Sequence, residues 1–185
     1  MSGIKPALFN LAARKNSTEI LKELPIKEGQ AVADLGSCGG YYTLLFAERV
    51  GAGGTVYAVD IDSKNLRFVC GEIKRRGITD RVILALAEPD DFILGAESCD
   101  LVFSRNSFHH IASPEVYFKK VARALRPEGI LAVIDHNGSG VSRHKNHFTP
   151  PGVIQRSLAK SGFRLLRTVD GIPGASFQIF NTERI

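Results

Sequence analysis

The chain reads as an α/β protein with a mostly parallel sheet, and three features predict this. Short apolar runs alternate with helical stretches along the whole length. Turn residues (Gly, Pro, Ser, Asn) bound those runs. A glycine-rich turn links the first run directly to the helix behind it. At 185 residues the chain is expected to form a single domain over 1–185 with a sizeable core.

In order, a first helical region covers about Pro6 to Leu24, with a break near Asn16-Ser17, and Pro25 ends it. Ala31 to Leu35 is the first strand, followed by a helix from Tyr41 to Val50 that Gly51, Gly53 and Gly54 stop. Thr55 to Asp60 is the second strand. Ser63 is expected to cap the next helix, which runs to Arg76 and closes on Gly77. Arg81 to Leu86 and Asp100 to Ser104 make strands three and four. Ser113-Pro114 starts a helix in which Tyr117, Phe118, Val121, Ala122 and Leu125 recur at helical spacing. Pro127-Glu128-Gly129 reads as a turn into strand five, Ile130 to Asp135, and a polar loop spans His136 to Phe148. A helix over Pro151 to Ser161 ends at Gly162. Phe163 to Val169 and Ser176 to Phe180 form a closing antiparallel hairpin, giving about seven strands. In parallel sheets of this kind ligands bind beyond the carboxyl ends of the strands, so the tips of strands one to four should carry the informative residues.

Composition excludes several classes. The longest stretch without charge, Leu35 to Ala47, is 13 residues, too short for a membrane-spanning helix. The N-terminal residues show no apolar signal stretch. Three scattered cysteines, Cys38, Cys70 and Cys99, make neither a disulfide framework nor a zinc motif, so a reducing cytoplasm is expected. The formal charge of +5 is spread over solvated helix faces, so nucleic-acid binding is not favoured. His136, His144 and His147 lack the spacing of a metal-ligand set, and no metal is expected.

Asp34-Leu35-Gly36-Ser37-Cys38-Gly39-Gly40 lies between the first strand and its helix, and Asp60 ends the second strand. Glycine lets backbone approach a ligand closely, and a helix N-terminus offers N–H groups to an anion. A carboxylate at the second strand's tip can accept two hydrogen bonds from a ribose diol, each worth about 1.5–3 kcal/mol. These features point to a nucleoside cofactor. The dinucleotide fingerprint fails, because Cys38 and Tyr41 stand where its second and third glycines belong, and no Walker loop is present.

At these residues the chain resembles the class I S-adenosylmethionine-dependent methyltransferases. Asp34 to Gly40 matches the family's acidic residue and Gly-x-Gly-x-Gly turn, except that Cys38 replaces the central glycine. Tyr57-Ala58-Val59-Asp60, Asp100-Leu101-Val102-Phe103 with His109-His110, and Arg123 to Gly129 resemble its later motifs, and together they span about residues 17 to 170. The resemblance implies a three-layer Rossmann-like fold, S-adenosylmethionine as cofactor and an enzyme. It implies that Gly36, Ser37 and Gly40 line the methionine portion and that Asp34 holds the turn or the amino group. Cys38 is expected to touch the cofactor if its backbone is extended, and to crowd the ligand if its φ is positive. Asp60 would bind ribose and Ile61 would pack on adenine. Ala87 and Glu88 would flank the adenine amino group, although the family's usual aspartate is absent there. Ser104 and Arg105 would close the floor beside the sulfonium.

A base is needed only where the attacking atom must lose a proton. His109, His110, Asp135 and His136 are the candidates, and His109-His110 also reads as structural. No Asn-Pro-Pro-Tyr-like segment, Pro-Cys pair or cysteine cluster defines a macromolecular or arsenic substrate, so a small-molecule acceptor is expected. An RNA or protein methyltransferase and a non-catalytic nucleoside-binding protein are the alternatives. Oligomeric state is not legible.

Overall fold

β-branched and aromatic residues at strand spacing become strands, and the computed structural model, which describes residues 6–138 and 148–183, contains seven of them. The chain divides into two compact units, Met1–Ala87 and Glu88–Ile185.

The first unit runs α1 (Pro6–Ala13), α2 (Ser17–Lys22), β1 (Ala31–Leu35), α3 (Tyr41–Val50), β2 (Thr55–Asp60), α4 (Ser63–Arg76) and β3 (Val82–Leu86). β2 lies between β1 and β3, parallel to both, with Leu35 opposite Val59 and Asp60 opposite Leu86. α3 packs on β1 and β2, and α4 packs on β2 and β3. β1 is buried on both faces, which explains why all of its residues but Asp34 are apolar. Val32, Phe46, Val56, Val59 and Val69 are fully enclosed, each contributing about 1.5–3 kcal/mol.

The second unit holds β4 (Cys99–Arg105), a 3₁₀ turn at Phe108–His110, α5 (Pro114–Ala124), β5 (Leu125–His136), α6 (Pro151–Ala159), β6 (Phe163–Val169) and β7 (Ala175–Thr182). β4 and β5 are parallel, and β7 lies between β5 and β6, antiparallel to both. The closing hairpin therefore joins the sheet through its second strand. Phe103, Phe118, Leu131 and Phe177 lead this core.

Three local expectations are corrected. The cap of α4 is Asp62, whose carboxylate accepts from the Lys64 N–H, so the cap falls one residue before Ser63. Ser113 precedes α5 without a side-chain capping bond. β5 starts at Leu125, not Ile130: Leu125 pairs with Cys99, and a register shift between Cys99 and Leu101 absorbs the residues read as a turn. At the N-terminus the break falls where expected, with Asn16 left-handed at φ 57° between α1 and α2. His144 and His147 lie outside the described residues.

Candidate cofactor site

The turn between β1 and α3 is closed by its own bonds. The Gly36 and Ser37 N–H groups both donate to the Val59 carbonyl, at 2.9 and 3.0 Å, and Gly40 N–H donates to the Ser37 carbonyl at 2.7 Å. Cys38 N–H donates to Asp60 Oδ2 at 2.8 Å. Tyr41 N–H, at the first position of α3, donates to Asn10 Oδ1 at 3.1 Å. The expectation of a helix N-terminus open to an anion is thus corrected at Tyr41, where a side chain already takes the N–H. Gly40 sits at φ 77°, and a β-carbon there would lie 2.8 Å from Val69 Cγ2 of α4, so both conformation and space require glycine.

Cys38 occupies the central motif position at φ 48°, a left-handed conformation that costs a non-glycine residue about 1 kcal/mol. Its thiol is pushed up to about 12, by burial first and then by the charges of Asp60 and Asp34. It is therefore no nucleophile at neutral pH.

Asp34 is 4% exposed and accepts from the Thr43 hydroxyl at 2.6 Å and from the Thr43 backbone N–H. It ties the end of β1 to the first turn of α3. Burial raises its pKa to about 7; Thr43 lowers it in part, and Asp60 adds a smaller upward push.

Asp60 is only 6% exposed, so it is not the surface carboxylate that its place at a strand tip suggests. Oδ1 accepts from Asp62 N–H at 2.8 Å and Oδ2 from Cys38 N–H, while Asn65 Nδ2 reaches both oxygens at 3.2 Å. A carboxylate offers about four lone-pair sites, and one bifurcated donor spans two of them. Ile61, the next residue, is 61% exposed, and Ala87 is buried with its N–H on the Asp60 carbonyl at 3.0 Å. The predicted residues Asp34, Gly36, Ser37, Cys38, Gly40, Asp60, Ile61 and Ala87 all belong to this unit. Direct hydrogen bonds bring together Cys38, Asp60 and Ala87.

The remaining candidates belong to the second unit. Glu88 is exposed and bridges to Asp91. Ser104 is fully buried, Arg105 is half-buried at the end of β4, and His110 and His136 are exposed. Asp135, fully buried, accepts from His109 Nδ1 at 2.8 Å, His136 N–H at 2.8 Å and His109 N–H at 3.1 Å. This pins the 3₁₀ turn to β5, with the His109 side chain 6% exposed. An open groove of about 560 Å³, lined by Lys119, Arg123, Ser161 and Thr182 among others, contains none of the predicted site residues. Among the described residues no cluster of His, Cys, Asp or Glu could hold a metal ion, and no helix is long and apolar enough to cross a membrane.

Sequence reasoning missed Asn10, Thr43 and Asn65, whose only signal is a polar side chain within a helical stretch. Two features fit a nucleoside cofactor carrying a positive sulfur. The Ser37 hydroxyl is buried without a hydrogen-bond partner, a polar group awaiting one. Asp60 holds a buried carboxylate at the tip of β2, next in the chain to the exposed aliphatic Ile61.

The family model described as a methyltransferase domain matches residues 33–133. The methyltransferase GfsG of Streptomyces halstedii is 26% identical over 162 residues, covering 88% of this chain and 56% of that protein. A ubiquinone/menaquinone biosynthesis C-methyltransferase of Methylococcus capsulatus is 28% identical over 110 residues, covering 60% of this chain and 44% of that protein. The chain thus spans about half the length of these curated relatives. The crystal structure of an S-adenosylmethionine-dependent methyltransferase from Aquifex aeolicus shares the fold, with a TM-score of 0.83 at 21% identity over 96% of this chain and 98% of that one.

Proposed function

The chain belongs to the class I S-adenosylmethionine-dependent methyltransferase family, and from that premise we propose that it methylates a small organic molecule. The observation that carries its cofactor assignment is the bond from Cys38 N–H to Asp60, which ties the glycine turn to the strand-tip carboxylate. When bound, S-adenosylmethionine supplies a methyl group activated by its positive sulfur.

The protein's share is to bind, align and shield. Asp60 is assigned to the ribose hydroxyls, which would take the two lone-pair sites that Asn65 spans through one weak bifurcated contact. Ile61 is assigned to the adenine face, with Ala87 and Glu88 at its edge. Gly36, Ser37, Cys38 and Gly40 are assigned to the methionine portion, where the Ser37 hydroxyl gains a partner. Asp34 acts through Thr43 by fixing the turn.

His109 and Asp135 are assigned to the framework, because the ring is buried and its Nδ1 is committed to the carboxylate. That leaves exposed His110 and His136 as candidates for taking up a proton where the acceptor has one to lose. The small-molecule acceptor is supported by the relative named for ubiquinone/menaquinone biosynthesis.

Titration calorimetry with S-adenosylmethionine, S-adenosylhomocysteine and nicotinamide adenine dinucleotide tests the cofactor class. The first two are expected to bind and the third not. Binding of the dinucleotide alone would overturn the proposal. Turnover against a panel of small hydroxyl, amine and carbon acceptors, with RNA and protein as competing substrates, tests the acceptor class.

A further inference from the structure

The first two helices follow one another in the chain but are held by different forces. α2 buries Ser17, Ile20 and Leu21. No described side chain of α1 is buried, and Leu8 and Leu11 are 57% and 66% exposed, so apolar burial does not hold that helix in place. Asn10 does. Its Nδ2 donates to the Gly39 carbonyl at 2.8 Å, and its Oδ1 accepts from Tyr41 N–H at 3.1 Å.

Those two bonds straddle Gly40. They fix the backbone immediately after Cys38, the left-handed residue whose N–H donates to Asp60. The Tyr41 hydroxyl is also within 3.0 Å of the Ser17 hydroxyl at the start of α2, so the N-terminal segment grips Tyr41 at both ends. Gly39 lets the helix come this close: a β-carbon there would land on the Asn10 side chain and the Pro6 carbonyl oxygen.

We propose that α1 is a lid seated on the glycine turn, that Asn10 is its latch, and that seating the latch holds the turn in its cofactor-binding form. Asn10 is then a positioning residue, acting on Asp60 through Gly39, Tyr41 and Cys38. The inference rests on the cofactor assignment above.

Gly39→Ala and Asn10→Ala test it in the full chain. The φ of Gly39 is not in the positive range, so alanine is permitted by the backbone and excluded only by α1. Each variant is expected to raise the calorimetric Kd for S-adenosylhomocysteine about tenfold. The double variant should be no worse than either single one, since both unseat the same helix. Asn10→Asp keeps the acceptor for Tyr41 N–H, loses the donor to Gly39, and should fall between. In the wild type, ligand should protect the Arg14-Lys15 bond from trypsin; in Gly39→Ala it should not.

A purely structural Asn10 would lower the melting temperature and leave Kd unchanged, which would overturn the latch. Tighter binding in either variant, or additive losses in the double variant, would overturn it as well. A wild type that binds neither S-adenosyl compound would overturn the cofactor assignment and the latch together, whereas a binding wild type with unaffected variants would overturn the latch alone.

Discussion

Asp60 at the end of β2 and Asp135 near the end of β5 are built alike: each is a buried carboxylate that takes two backbone N–H groups and one side-chain donor. They differ in the third partner. Asp135 holds a buried imidazole nitrogen at 2.8 Å, while Asp60 shares one amide between both oxygens at 3.2 Å. A short bond to a buried ring is costly to exchange, and a long bifurcated one is cheap. The contrast separates a carboxylate that braces the fold from one that can trade a partner for ligand.

Asp135→Ala should break the framework side of this contrast most severely. It strands the buried His109 ring nitrogen and two backbone N–H groups, and a loss of about 3–5 kcal/mol is expected from chemical denaturation. Asp60→Ala should cost less stability, about 1–2 kcal/mol, and weaken cofactor binding at least a hundredfold by calorimetry, since two charge-assisted bonds are lost. If the two variants show the same ratio of stability loss to binding loss, the distinction between them fails.

Asp34 sharpens the comparison, because it is a third buried aspartate in which burial outweighs its partners. Its pKa of about 7 in the folded chain lies above the usual 3.8, so between those values the folded state binds the extra proton. Its contribution to stability therefore falls as pH rises from about 4 to about 7 and is flat above. Asp34→Asn should flatten that slope, read as the shift in urea midpoint between pH 5 and pH 7.5. Asn65→Ala removes only the exchangeable donor and should change cofactor affinity by no more than about threefold while leaving Asp135 untouched. Cys38→Gly is the smallest change: relief of the left-handed strain should raise stability by up to about 1 kcal/mol and preserve binding, and loss of binding would make the thiol a required contact.

How far the sequence carried these assignments depends on chain separation. The strands, the Gly36–Gly40 turn and Asp60 were legible because apolar period, glycine spacing and strand tips are local signals. The closing hairpin was legible as an antiparallel pair, but the insertion of β7 between β5 and β6 rests on pairing some 45 residues apart, such as Ile134 with Phe177. Pro127-Glu128-Gly129 has the composition of a turn, yet it lies within β5 because pairing with β4 absorbs it as a register shift. Asn10 was invisible as a site residue, since its partners lie 29 and 31 residues away and its own helix gives no reason for it.

The thiol at position 38 has a practical corollary. With its proton held up to about 12, only about one molecule in ten thousand carries the reactive anion at pH 8, so alkylating and oxidising reagents should pass it by. That silence depends on burial beside two carboxylates. A time course of iodoacetamide labelling, resolved by peptide, would turn Cys38 into a built-in clock for each opening of the segment around it.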